Sequence, residues 1–213
     1  MKKLVVFDLD GTLLDTTQSL NECMNKALKV NGFNPISLSQ TRAYVGNGAY
    51  VFALKACGDE QKASKVLESF MEIYQKYPTN VVPPFEHITT LLQKLKNYGI
   101  KTAVFSNKPH VSTVNLCESV FGKQTFDFLL GHKDGAPTKP NPQGLLQIIE
   151  YFNLSKQNVI LIGDGETDAQ TAINAGVDFI GALWGLRDKQ TLQEHGATVF
   201  ANTPSDLFDL LFN

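Results

Sequence analysis

Hydrophobic and polar positions follow two rhythms along this chain, and the change between them divides it. Leu4-Val5-Val6-Phe7 is an unbroken apolar run that stops at Asp8, the pattern of a strand buried on both faces. Leu20, Cys23, Met24, Ala27 and Leu28 then recur at three- and four-residue spacing, one apolar face of a helix, and Asn31-Gly32-Phe33-Asn34-Pro35 supplies the turn chemistry that ends it. Ala63, Val66, Leu67, Phe70, Tyr74 and Tyr77 form a second helical stripe, interrupted at Pro78. No segment from 16 to 78 carries a strand pattern. Val81-Val82-Pro83-Pro84 predicts a stiff, extended connector, because proline fixes its own backbone and restrains its predecessor.

Beyond that connector the pattern alternates between helix and strand. Ile88, Leu91, Leu92 and Leu95 mark a helix ended by Asn97-Tyr98-Gly99, and Thr102-Ala103-Val104-Phe105 is a strand stopping at Ser106-Asn107. A helix is predicted around 110–121, a strand at Phe126-Asp127-Phe128-Leu129-Leu130, and a helix from near Pro142 to about Phe152. Val159-Ile160-Leu161-Ile162 is a buried strand followed by Gly163-Asp164, then come a helix near 167–175, a strand at Phe179-Ile180-Gly181-Ala182, and a short terminal strand and helix. Such alternation implies an α/β fold, a doubly wound parallel sheet with helices on both faces. The expected organisation is a Rossmann-like core of residues 1–15 and 82–213, with a small all-helical domain of residues 16–81 inserted in it.

At 213 residues with 43% hydrophobic side chains, the chain has ample material for a packed core. A net charge of -2 gives no reason to expect nucleic acid or an anionic membrane as partner, so a ligand has to be argued from local residues. No apolar run approaches the roughly 20 residues of a membrane span, and the apolar stretch after Met1-Lys2-Lys3 is too short for a secretion signal. Cys23, Cys57 and Cys117 have neither metal-binding spacing nor a close-set pair and read as reduced packing residues, which points to a cytoplasmic protein.

Chemistry enters where the first strand ends. In extended chain, residues two apart share a side, so Asp8 and Asp10 can converge on one point while Leu9 faces away, and Gly11 permits a sharp turn before Thr12. Three further loops carry polar residues that do not belong to a core: Ser106-Asn107, Lys139 between Pro137-Thr138 and Pro140, and Asp164 with Asp168 in Gly163-Asp164-Gly165-Glu166-Thr167-Asp168. A doubly wound sheet binds ligands outside the carboxyl ends of its strands, where strand order reverses. Three carboxylates around one point repel unless a hard cation sits among them, and such oxygen ligands suit Mg2+. A lysine, a serine hydroxyl and loop N–H groups match phosphate oxygens. One aspartate can then act as nucleophile and the other as acid and base.

Asp8-Leu9-Asp10-Gly11-Thr12, Ser106, Lys139 and Gly163-Asp164-Gly165-Glu166-Thr167-Asp168 together, in this order, resemble the four motifs of the haloacid dehalogenase superfamily phosphatases, over essentially the whole chain. The resemblance implies Asp8 as nucleophile and Asp10 as general acid and base. It implies Mg2+ held by the Asp8 carboxylate, the Asp10 backbone carbonyl and Asp164. Ser106 and the Asn107 amide would bind the phosphoryl group, Lys139 would neutralise charge between Asp8 and phosphate, and Asp168 would stand in the outer shell. Members that cleave carbon–halogen or phosphonate bonds lack the second acid, so Asp10 favours phosphoryl transfer. The inserted helices correspond to the mobile cap of this superfamily. Tyr44-Val45-Gly46-Asn47-Gly48-Ala49 resembles the cap loop of the phosphoglycolate phosphatases, as do Ser106-Asn107-Lys108-Pro109 and Leu183-Trp184-Gly185-Leu186-Arg187, which makes Gly46, Asn47, Gly48, Lys55 and Arg42 the candidate specificity residues.

The resulting expectation is a Mg2+-dependent phosphatase of a small phosphorylated metabolite, 2-phosphoglycolate first, working as monomer or homodimer. Alternatives within the superfamily are a sugar-phosphate or nucleotide phosphatase, or a phosphosugar mutase. From another class, a receiver-like domain also gathers acids, a lysine and a hydroxyl, but it has no helical insertion and no Asp-x-Asp-Gly-Thr at its first strand. A non-catalytic phosphate-binding protein is the remaining alternative. Ser106 could instead cap the following helix, Lys139 could be a surface lysine, and Asp168 could simply favour a helix start. Glu166 reads as helix-start decoration, His110 as structural and Trp184 as packing, while His132 and Lys133 receive no role.

Overall fold

The computed structural model describes residues 2–78 and 81–212. Its elements run β1 (Leu4–Phe7), α1 (Thr17–Val30), α2 (Leu38–Tyr44), α3 (Ala49–Cys57), α4 (Glu60–Gln75), α5 (Ile88–Asn97), β2 (Lys101–Pro109), α6 (His110–Phe121), β3 (Phe128–His132), α7 (Gln143–Tyr151), β4 (Val159–Gly163), α8 (Glu166–Ala175), β5 (Asp178–Ala182), α9 (Lys189–Glu194), β6 (Phe200–Ala201) and α10 (Pro204–Phe212). The six strands form one parallel sheet in the order β3-β2-β1-β4-β5-β6. The doubly wound α/β fold is therefore as the alternation predicts.

Strand alternation sorts the apolar runs onto two faces. Val5, Phe7, Val104, Ile160 and Ile162 face one way, packing with Leu91 and Leu95 of α5, Leu116 of α6 and Leu207 of α10. Leu4, Val6, Ala103, Phe105 and Leu161 face the other way, against Leu145 and Ile148 of α7 and Ala172 of α8. A third cluster belongs to α1–α4, where Leu20, Met24, Leu28, Phe52, Val66 and Phe70 pack on one another apart from the sheet. Side-chain caps start two of these helices: Ser37 and Gln40 form a reciprocal capping box on α2, and Asp59 accepts from the N–H groups of Gln61 and Lys62 on α4.

The two chain crossings into and out of the helical unit lie side by side. The Asp15 N–H donates to Pro83 O at 3.0 Å and the Phe85 N–H to Leu13 O at 3.1 Å. Residues 79 and 80 of the expected second crossing lie outside the described residues. The connector is extended only in part, since the Val81 N–H donates back to Pro78 O. Two strand boundaries also differ. β2 continues through Ser106 and Asn107 to Pro109, and β3 begins at Phe128 because Asp127 is spent tying the Thr102 N–H at 2.9 Å. Hydrophobic runs mark where a strand is buried, whereas its ladder can continue into polar residues. α9 is formed by Asp188, which accepts from the Thr191 N–H, and its sequence carries too short a stripe to announce it.

No helix among the described residues is long and apolar enough to cross a membrane. The three cysteines are free thiols, and burial raises the Cys23 and Cys117 thiols to about 11 and about 12, as expected of packing residues.

Candidate active site

Chain order reverses at the centre of the sheet, where β1 lies between β2 and β4. Asp8 leaves β1 there, its N–H bonded to Ile162 O at 2.9 Å, and Asp164 leaves β4 beside it. Asp8, Asp164 and Asp168 are all buried and each offers a carboxylate oxygen within 4.8 Å of the others. Each is held from outside the group. Thr12 Oγ1 donates to Asp164 Oδ1 at 2.7 Å, and the Leu186 N–H donates to Asp164 Oδ2 at 2.7 Å. The Gly165 N–H donates to Asp168 Oδ2 at 3.0 Å, which makes Asp168 both a helix-start residue of α8 and a member of the cluster. A Cβ on Gly11 or on Gly185 would fall on the Asp164 side chain, so two missing side chains form the slot in which that carboxylate lies. At Gly11 the φ of 88° also favours glycine.

Lys139 closes the cluster from below. Its side chain is 1% exposed, with Nζ 2.8 Å from Asp8 Oδ1, 2.6 Å from Asp168 Oδ1 and 3.0 Å from Phe105 O. Burial opposes its charge, but Asp168 and then Asp8 outweigh that and hold the ammonium above its ordinary pKa. One ammonium facing three acids leaves negative charge over. Asp8 Oδ1 shows the shortage: it is buried, and although Lys139 forms an ion pair with it, no donor meets it at hydrogen-bonding angles. Buried oxygens in excess of donors, drawn from carboxylates, are what a hard divalent cation requires.

Electrostatics agree. Burial first, then the charges of Asp8 and Asp168, push Asp164 up to about 7, against the pull of the Leu186 N–H and the Thr12 hydroxyl. Burial likewise raises Asp168 to about 6, with Lys139 opposing. An unfolded aspartate titrates near pH 3.9. Between about pH 4 and 7 the folded cation-free protein thus holds a proton that the unfolded chain has lost, and stability falls as pH rises through that window. Thermal melts in chelator are expected to show a Tm that drops from pH 5 to pH 8, a drop that Asp164→Asn reduces and a divalent cation reverses. An Asp164→Asn melt curve parallel to that of the parent protein would contradict this account.

The remaining polar residues stand above the cluster. The Asp10 carboxylate turns away from the three acids and meets Lys108 Nζ with both oxygens, at 3.1 and 3.0 Å. Lys108 is the residue the motif reading missed. A usable signal was present, because in the continued strand it lies two residues from Ser106 and so shares its side. Ser106 is buried and does not cap α6; its Oγ accepts from the Lys108 N–H at 3.3 Å. The Asn107 side chain is a clamp. Its Oδ1 accepts from the Lys139 N–H at 2.7 Å, and its Nδ2 donates to Lys139 O and to Gly46 O, both at 3.1 Å.

That last bond joins the sheet to the helical unit. Gly46 and Gly48 adopt φ of 119° and 88° in the loop between α2 and α3, bringing its backbone over Asn107. Arg42 Nη2 donates to Gly185 O at 2.6 Å. Arg187 donates to Arg42 O, Val45 O and Glu166 Oε2 at 2.6, 2.7 and 2.8 Å, and Asn47 also bonds Glu166. Glu166 is therefore part of this junction as well as a helix start. Lys55 lies exposed on α3. His110 Nδ1 accepts from the Gly131 N–H, Trp184 Nε1 donates to Thr12 O, and both serve the framework. His132 meets Ala136 O, and Lys133 is exposed.

Between sheet and helices lies a pocket whose empty space, open mouth included, is about 530 Å³. Asp8, Asp10, Ser106, Asn107 and Lys108 form its floor, and residues of α1, α3 and α4 form its roof. Neither Lys55 nor Arg42 is among its lining residues.

The family model for haloacid dehalogenase-like hydrolases matches residues 5–182. A phosphoglycolate phosphatase of Rhodobacter capsulatus is 31% identical, over 84% of this chain and 84% of its own. One from Pseudomonas putida is 29% identical over 98% of this chain and 77% of its own. A crystal structure of a Lactobacillus delbrueckii subsp. bulgaricus protein superposes with a TM-score of 0.92 at 31% identity, covering 99% of both chains.

Proposed function

The chain belongs to the haloacid dehalogenase-like hydrolase family, and from that premise we propose that it is a Mg2+-dependent phosphomonoester hydrolase working through an aspartyl-phosphate on Asp8. The observation that carries this reading is the buried trio Asp8, Asp164 and Asp168 with Lys139 at its base, directly under a pocket that also holds Asp10. The Asp8 and Asp164 carboxylates and the Asp10 backbone carbonyl would hold Mg2+, with the Asp168 carboxylate on Lys139 behind them, and the ion would supply the positive charge that lets a carboxylate and a phosphate dianion approach.

The residues then divide the work. An Asp8 oxygen attacks phosphorus as the bond to the leaving oxygen breaks, and Asp10 gives that oxygen its proton. In the second half Asp10 takes a proton from water, the water oxygen attacks phosphorus, and the bond to Asp8 breaks to release phosphate. Lys108, bonded to both Asp10 oxygens, fixes the orientation of that carboxylate. The Ser106 hydroxyl and the Asn107 backbone N–H bind the phosphoryl oxygens, and Lys139 balances charge between them and Asp8. Residues 16–81 act as a cap whose closure excludes water.

2-Phosphoglycolate, the substrate in the curated relatives' name, is the first ester to assay. Phosphate release from it and from phenyl phosphate is expected to require Mg2+, to vanish in chelator and to return when Mg2+ is restored. Undiminished release in chelator would overturn the mechanism.

A further inference from the structure

The roof of the pocket has a chemistry unlike its floor. Phe52, Phe70, Met71 and Tyr74, with Leu20 and Val45, make it apolar and largely aromatic. The rings are locked together: Phe52 meets Phe70 edge-on at 5.6 Å between centroids, and Phe70 stacks on Tyr74 at 5.5 Å. Such packing fixes a rigid wall, in which the Tyr74 hydroxyl stands near Lys108 and Asp10 of the floor and the other side chains are apolar. Lys108 is the one cation among the described lining residues, and it is already committed. Asp10 occupies its Nζ through both carboxylate oxygens, and the Tyr74 ring lies 4.7 Å from the same nitrogen. The helical unit's other basic candidates serve elsewhere, Arg42 on Gly185 O and Lys55 in solvent.

A phosphoryl group seated on Asp8 directs the rest of the ester toward this wall. A carboxylate on that end would lose water and gain no cation, which is costly in an apolar site, whereas a hydrocarbon would gain burial. We infer that the leaving group of the natural substrate is uncharged and apolar, a short branched alkyl or an aromatic ring held against Phe52, Phe70, Met71 and Tyr74. This rests on the phosphatase reading and departs from the substrate in the relatives' name.

Isobutyl phosphate and 2-phosphoglycolate test it, because they have the same shape around the leaving carbon and differ in the carboxylate. Glycolate is the better leaving group, so intrinsic reactivity works against the expected result. With Mg2+ present, kcat/KM is expected to be at least tenfold higher for isobutyl phosphate. Met71→Lys, which adds a cation to the wall, is expected to move that ratio at least tenfold toward 2-phosphoglycolate, while hydrolysis of methyl phosphate, whose leaving group is too short to reach the wall, reports the catalytic floor. A parent ratio below ten, or a ratio unmoved in a Met71→Lys protein that still cleaves methyl phosphate, overturns the inference and leaves the phosphatase reading standing. If Met71→Lys does not fold, the parent ratio decides alone. Phosphate release from none of the three esters overturns the phosphatase reading, and the inference with it.

Discussion

Asp8→Asn is expected to abolish phosphate release, lowering kcat by roughly 10⁴-fold or more, the scale seen when a covalent nucleophile is removed. The amide keeps the shape of the carboxylate but cannot attack phosphorus, and it removes one of the charges that raise Asp164. The variant should therefore fold normally and be at least as stable as its parent in chelator. Mass spectrometry of acid-quenched parent enzyme during turnover should find a phosphorylated peptide containing residue 8, absent from the variant. A fully active Asp8→Asn protein would sink the covalent mechanism. So would parent enzyme phosphorylated at another residue.

Lys139→Met should have the second largest effect, on stability as well as on rate. Removing one partner of a buried ion pair leaves the other desolvated and unmatched, at a cost of about 3–5 kcal/mol. Here two acids, Asp8 and Asp168, lose their common partner. The cost should shrink as pH falls, because Asp168 is already pushed up to about 6 and protonation removes the repulsion. Denaturant unfolding of parent and variant at pH 5 and pH 8 measures both claims. An equal loss at the two pH values would mean that Lys139 contributes packing and not charge. Activity should fall roughly 10²- to 10³-fold even where the variant remains folded.

Much of this was legible in the chain. The apolar run Leu4–Phe7 fixed β1, and the spacing of Asp8 and Asp10 put both at its end. What periodicity could not give was the direction of each carboxylate. Asp8 and Asp10 leave the same strand end, yet one joins Asp164 and Asp168 and the other turns to Lys108, a division set by partners brought from far along the chain, Lys108 from 98 residues away. The Asp168 carboxylate reaches the cluster because Lys139 draws it inward, a contact that its place in the motif does not announce. The specificity residues were the hardest to read. Gly46 and Gly48 reach the pocket because positive φ is a local property of glycine, visible in the sequence. Lys55 does not line it, since which face of a nine-residue helix turns inward depends on Phe52 and Ala53 finding α1 and α4. The aromatic wall was visible only as a helical stripe, where core and pocket residues look alike.

Gly185, Leu186 and Arg187 are three consecutive residues with three different obligations. Gly185 O is held by Arg42, the Leu186 N–H orients Asp164, and Arg187 grips the backbone of Arg42 and Val45. Any swing of α1–α4 away from the sheet has to break the first and third of these, on either side of the bond that aims the Asp164 carboxylate. The aim of a reactive-site carboxylate and the hold on the helical roof are thus set by the same three consecutive residues.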